Sequence, residues 1–466
     1  MKKSVREKRQ TTIESSVEMV KTVPGNEDLP VSNESGGKKK YPKQTAKFLA
    51  KEILDRIGYG LSSQQFINIL FILIGANYFL IGTINGLKMV LGVVISFLLE
   101  KYAIAKGISK KLMKFSAVLF AFSVFLLTLA IGLQSLTLFI TAILIGGILA
   151  ILYGNLYQDW FKENLEMEHR GHFLQKISYY GLLITGASML AGAYLADNFL
   201  SEGKSVPFNL LNLKFDLNIR GYSIAFALAG VLFLISAIII FLIREKPSIL
   251  KLESEKSKEL SILEKGVRNK LFGDKVIVIL LVTSSIVSIV QTLGASYYGI
   301  FIYKEFQNTG YGGFTNVAII FLIALLTSVV GPVVTQYNSR AYGKFPMLVF
   351  GTLLMAIMPL TFFYNPTLLA IALATFLSTI GASICGVAYG LLIGELIHED
   401  YKKPFVRLSG ILTILPYLLF VPLGAYFAQE MGLPDLFLLL GLILAVAVMP
   451  LYFLIILLYN LRKEKI

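Results

Sequence analysis

Charge is scarce in this chain, and from long stretches it is missing altogether. Charged residues make up 15% of 466 positions, hydrophobic residues 55%, and the mean hydropathy is +0.70. No charge falls between Val276 and Ile302, or between Leu368 and Ile393. A soluble domain of this size needs more polar surface. Charge-free runs of about 20 residues instead match a hydrocarbon core roughly 30 Å thick at 1.5 Å per residue. Gly and Pro recur inside the runs, which suits membrane helices better than soluble ones.

The single cysteine, Cys385, excludes an internal disulfide framework and a multi-cysteine metal site. It lies in an apolar run and reads as a small packing residue. The three histidines, His169, His172 and His398, fall in loops. There is no phosphate-binding Gly-rich loop ending in Lys-Ser/Thr and no metal-ligand cluster, so no cofactor is expected and the chain does not read as an enzyme. The start, MKKSVREKRQ, is followed by no apolar h-region and is not a secretory signal. Residues 1–61 read as a basic cytoplasmic tail, with the first ~45 polar and expected to be disordered.

The apolar runs divide into about twelve spans: 62–82, 84–100, 113–132, 136–158, 177–197, 221–243, 276–303, 315–338, 346–363, 367–393, 408–429 and 436–459. Residues 62–100 must then cross twice, so a tight hairpin near Thr83–Asn85 is preferred to one long tilted helix. With that count both termini share a side. That side holds 38 of the 43 Lys and Arg; the other holds Lys88, Lys204, Lys214, Arg220 and Lys304. Such a split places both termini in the cytoplasm and the chain in the cytoplasmic membrane. It also accounts for the net charge of +14 without nucleic acid. The basic tail is a topology signal that is also suited to anionic lipid.

Short stretches recur in order. YGNLYQD at Tyr153–Asp159 returns as YGLLIGE at Tyr389–Glu395; GANYF at Gly75–Phe79 as GASYY at Gly294–Tyr298; GAYLAD at Gly192–Asp197 as GAYFAQ at Gly424–Gln429. Ser96-x3-Glu100-Lys101 is answered by Thr335-x3-Ser339-Arg340. The four offsets are 219, 236, 232 and 239, each pairing span n with span n+6. The expected fold is therefore an all-α membrane protein of two pseudo-symmetric six-helix bundles, 62–243 and 276–466, joined by the charged cytoplasmic linker 244–275. The linker's leucines suit either an amphipathic surface helix or a solvated connection.

This pattern resembles the major facilitator superfamily over about residues 62–460. The family's loop signature, Gly-x-Leu-Ala-Asp-Arg-x-Gly-Arg-Arg/Lys, survives in degenerate form. Ser96, Glu100 and Lys101 take the Gly, Asp and Arg places, with Gly107, Lys110 and Lys111 following late. In the second half Thr335, Ser339, Arg340, Gly343 and Lys344 have lost the acid. The resemblance implies a secondary or facilitative transporter whose bundles rock about a central site. It also implies that Asp159 and Glu395 meet basic groups, including Lys101 and Arg340, when the cytoplasmic side closes. Glu100, Arg170 and Arg407 complete this candidate gate.

No acid lies mid-span on these boundaries, which speaks against a proton carrier. Candidate cavity residues are Gln291, the central one on a cavity-lining span, with Asn77, Tyr78, Tyr297, Tyr298 and Tyr417. Each has a bland reading as a helix–helix contact or an interfacial ring. Lys88 either snorkels to the headgroups or contacts an anionic or polar solute. The Tyr-rich interior suits a neutral or amphiphilic solute, and Lys88 leaves an organic anion open. The expected protein is a monomer that binds a small molecule and lipid. A transporter-fold sensor or scaffold is the alternative.

Overall fold

The computed structural model describes residues 43–164, 167–200, 203–210, 213–243, 273–333, 343–397 and 399–463. The tail to residue 42, linker residues 244–272, Arg340 and His398 lie outside them. The described residues from Gln44 onward form one compact unit.

Span one is broken. Helix α1 (Lys43–Leu61) stops at Ser62–Ser63, and α2 (Gln64–Leu73) completes the crossing. Span two is α3 (Tyr78–Lys106), three is α4 (Ser109–Gly132), four is α5 (Leu136–Asn164), five is α6 (Met167–Asn198) and six is α7 (Gly221–Leu242). In the second half, span seven is α8 (Lys275–Phe306), eight begins with α9 (Gly313–Thr327), nine is α10 (Lys344–Tyr364) and ten is α11 (Leu368–Leu396). Span eleven is α12 (Glu399–Ile414) with α13 (Tyr417–Met431), broken at Pro416; Pro422 stays inside α13. Span twelve is α14 (Leu433–Leu442), a π turn at Ile443–Ala447 and α15 (Val448–Lys463). Pro450, just after that turn, lacks the N–H that would continue the regular ladder.

Among the described residues, eleven helices are long and apolar enough to cross a bilayer. The broken α1–α2 pair makes the twelfth crossing; α1 is much less apolar than the others because it carries Lys43, Lys47, Lys51, Glu52, Asp55 and Arg56. This corrects two expectations. The first helix starts at Lys43, well inside the stretch read as tail. The hairpin between spans one and two falls at Ile74–Asn77, not Thr83–Asn85. Gly75 takes a φ of 97°, a left-handed value that glycine adopts freely, and Asn77 caps α3 by accepting the Leu80 N–H at 2.9 Å. The near-continuous apolar run through residues 66–99 concealed that turn.

Spans five and six are joined by a feature the apolar pattern did not show, an antiparallel hairpin of β1 (Lys204–Leu210) and β2 (Leu213–Ile219), in register Val206 to Leu217. The membrane face bearing it is called the hairpin face below, and the opposite one the linker face. Between halves, span two packs on span eleven, and span five on span eight. Within halves, glycines let helices touch. A Cβ at Gly60 would overlap the Ser188 hydroxyl on span five, and one at Gly381 would overlap the Gly351 carbonyl on span nine. Gly146 and Gly147 lie within the continuous α5, where they seat Ser123 and the Lys88 stem. Cys385 packs at the crossing of spans nine and ten, where its thiol donates to Leu348 O at 3.4 Å.

Candidate functional site

The two halves are fastened at the hairpin face. Tyr297 is fully buried and donates its hydroxyl to the Tyr78 carbonyl at 2.8 Å. Lys304 donates to the Tyr78 hydroxyl at 2.8 Å and stands 4.8 Å from that ring's centre. The Tyr78 N–H, one of the unpaired donors at the start of α3, goes to Gln429 Oε1 at 3.0 Å. Asp197 performs the matching task for α9, accepting the Phe314 and Thr315 N–H groups at 3.0 and 2.7 Å and the Thr315 hydroxyl at 2.7 Å. Tyr78 and Tyr297, read as cavity residues, therefore belong to this closure. Asn77 is an exposed helix cap in the same region.

Toward the middle of the membrane lies a chain of amides that the sequence reading passed over. Gln65 and Asn68 on span one both donate to the Ala295 carbonyl on span seven, at 3.2 and 3.0 Å. Asn85 donates to Asn68 Oδ1 at 3.0 Å and to the Ser296 hydroxyl at 3.1 Å. Gln64 donates to Asn68 at 3.0 Å and accepts from Lys88 Nζ at 2.7 Å. Buried amides in hydrocarbon are costly unless they pair, and here they pair across the seam between halves. Lys88 does not snorkel. Its stem lies against Gly147 of span four and its ammonium turns inward to Gln64. The clue in the sequence was the QQFIN run of Gln64–Asn68, placed at the very start of span one by the shifted boundaries.

Further toward the linker face, α1 corrects the expectation of an acid-free interior. Lys51 is 2% exposed and pairs with Asp55 at 2.8 Å and Glu52 at 3.0 Å, while its ammonium stands 3.3 Å from the centre of the Tyr157 ring and 5.3 Å from that of Tyr153. Phe48, one turn earlier, anchors the helix against Trp160 and Phe161 at ring distances of 5.3 and 5.4 Å. Burying these charges is tolerable because they neutralise one another and the aromatic faces receive the cation.

In the second half, Gln291 is exposed to two small chambers of about 200 and 170 Å³. One is bounded by Tyr298, Thr375 and Ser378, the other by Ser284, Ser288 and Tyr389, and Met355 borders both. The nearest polar contact of the Gln291 amide is the Met355 sulfur at 4.0 Å. Tyr298 is half-buried and stacks on Phe362 and Phe437 at 4.8 and 5.1 Å. Tyr417 is buried inside the bundle, donating to Ser288 Oγ at 2.5 Å and accepting from Thr292 at 3.2 Å, so it braces spans seven and eleven. A larger groove of about 770 Å³ between spans seven, eleven and twelve is almost wholly aliphatic and aromatic; Ser285 also lines it, and its hydroxyl donates to the Thr413 carbonyl at 2.7 Å.

The linker-face candidates are less gathered. Glu395 pairs with Lys344, within its own half rather than across the seam. Glu100 is buried, Lys101 exposed and Asp159 half-buried. Arg170 and Arg407 fall in α6 and α12, and their side chains, like all of Arg340, lie outside the described residues. YGNLYQD and YGLLIGE lie toward the ends of spans four and ten, and GAYLAD and GAYFAQ at the ends of spans five and eleven; Thr335–Arg340 lies outside the described residues, and GANYF does not match GASYY. The former lies in the turn before α3, the latter in the middle of α8.

The Major Facilitator Superfamily model matches residues 57–403. The chain belongs to that superfamily. No curated relative matches the sequence. Among solved structures, the superfamily fold is shared with the nucleoside transporter NupG, at a TM-score of 0.67 and 12% identity over 90% of this chain and 99% of that one. It is shared with the inward-open xylose transporter XylE from E. coli, at 0.60 and 15% over 88% and 95%. A bacterial homologue of the iron transporter ferroportin in its inward-facing state gives 0.62 and 14% over 88% and 98%. The chain is a multi-pass membrane protein and a secondary transporter of this superfamily; the sensor reading has no support.

Proposed function

We propose that this superfamily member moves a small organic solute by alternating access. The solute sits mid-membrane between an amide-lined wall of the first half (Gln64, Asn68, Asn85, Lys88) and the Gln291 chambers of the second. The observation that carries this reading is the detachable character of the hairpin-face closure. It consists of single hydrogen bonds and helix caps between halves, each contributing on the order of 1 kcal/mol, so it can form and break within a cycle. The lysine and arginine split supports a cytoplasmic linker face and cytoplasmic termini in the cell membrane. The closure is then the external gate. The protein acts as a monomer without a catalytic or nucleic-acid role, and its basic tail favours anionic lipid.

Counterflow in proteoliposomes tests the reading. Solute trapped inside should accelerate entry of the same labelled solute. A ligand that binds the purified protein yet shows no exchange would overturn it.

A further inference from the structure

We infer that the transported solute is an anion and that Lys88 is the residue that holds its negative group. The inference rests on the transport reading above and narrows its substrate class.

Lys88 is the eleventh residue of α3, about 15 Å along the helix axis from its start at 1.5 Å per residue. That is the middle of a hydrocarbon core roughly 30 Å thick. Its methylene stem is pinned against Gly147, so the ammonium cannot swing to either headgroup layer without leaving that seat. Its one partner among the described residues is the neutral oxygen of Gln64, itself exposed, and the contact is open rather than sealed in the bundle. Spans one, two and four converge on it, and the amides bound to Gln64 reach span seven. The ammonium therefore faces the seam where the solute passes, just beneath the closure.

The remaining charges sharpen the point. In the middle of α1, past Lys43 and Lys47 near its start, the cations Lys51 and Arg56 are matched by the acids Glu52 and Asp55, and Lys51 is already bound to both acids. That cluster sums to zero. Among the described residues Lys88 has no carboxylate partner, so the described mid-membrane site carries one uncompensated positive charge. An ammonium with one neutral partner in a low-dielectric site has two donor positions left and a strong preference for a carboxylate or phosphate. The surrounding amides supply donors and acceptors for the rest of such a molecule.

The test uses the full-length purified protein and matched probe pairs that differ in charge: benzamide and benzoate, glucose and glucose 6-phosphate, uridine and uridine monophosphate. Thermal unfolding is followed with each at about 1 mM, since a ligand that binds only the folded state raises the transition. At least one anionic member should raise the wild-type transition by several degrees while its neutral twin does not. Lys88→Gln should weaken that anion tenfold or more, and Lys88→Arg should retain most of it. The wild-type comparison needs no variant, so misfolding of Lys88→Gln would not rescue the idea. Equal stabilisation by neutral twins, no stabilisation by any anion, or an anion response unchanged in Lys88→Gln would each overturn it. Counterflow of the best anion is a separate arm. Binding there without exchange would sink the transport reading and leave the anion site standing.

Discussion

Asp197 and Gln429 do the same work for opposite halves of the molecule. Each ends the fifth helix of its half, and they lie 232 positions apart at the ends of GAYLAD and GAYFAQ. Asp197 caps the start of α9 and Gln429 receives the first N–H of α3, so each half closes the helix of the other. The repeat is thus visible in contacts as well as in sequence.

The Asp197 cap should set the balance of the closure. Its carboxylate meets two N–H groups at a helix N-terminus, where negative charge is favoured. Asp197→Ala should cost the closed form about 1–2 kcal/mol and raise the fraction open at the hairpin face roughly five- to thirty-fold. The rate at which an impermeant maleimide modifies Ala295→Cys, in a Cys385→Ala background, reports that fraction. An unchanged rate would remove Asp197 from the gate.

Gly82 should be intolerant for the same reason. A Cβ there would overlap the Tyr297 hydroxyl and the Ala425 methyl, which belong to the other half. Gly82→Leu should leave the bundles folded while holding them apart at the hairpin face, with counterflow lost and expression retained. Normal counterflow in this variant would show that spans two, seven and eleven need not meet there.

The α1 cluster should behave as a buried ion group. Asp55→Leu leaves Lys51 without its closer partner, at 2.8 Å, in a site that excludes water. Removing one member of such a group typically costs about 3–5 kcal/mol. Reduced thermal stability and yield in detergent would be expected, and the double change Lys51→Met with Asp55→Leu should recover part of the loss. If the double variant is no more stable than Asp55→Leu alone, the pairing is not what stabilises α1.

By contrast, the Glu395–Lys344 pair is partly exposed and should contribute under about 1 kcal/mol. Glu395→Gln and Lys344→Gln should each leave stability nearly unchanged. Because the pair lies within one half, the two variants should affect counterflow alike. A strong effect of Glu395→Gln alone would point to a second partner across the seam.

Much of the site was legible as residue type and not as place. Gln291 stood out because an amide in an apolar run is expensive, and it does border open chambers. Tyr153 and Tyr389, quoted for their repetition, sit beside Lys51 and the second chamber respectively. Lys51, Glu52 and Asp55 do not read as a buried site in the sequence, because charge argues against a membrane helix unless partners are known. Their partners, Tyr153 and Tyr157, lie about a hundred positions away. Asn77, Tyr78 and Tyr297 look like cavity residues in the sequence because a polar group in an apolar run has the same signature whether it caps a helix, joins two bundles or faces solute.

The sequence by itself determined the class. Runs of apolar residues long enough to span a bilayer, the lopsided placement of lysine and arginine, and a repeat offset of about half the chain follow from composition and order. Membrane partitioning acts on each segment independently, so these features need no knowledge of contacts. The tertiary structure alone decided where span one begins, which polar groups face one another, and that Lys88 turns inward to Gln64. Those outcomes depend on pairing energies between residues far apart in the chain, and in a medium without water such pairings decide where each polar group can stand.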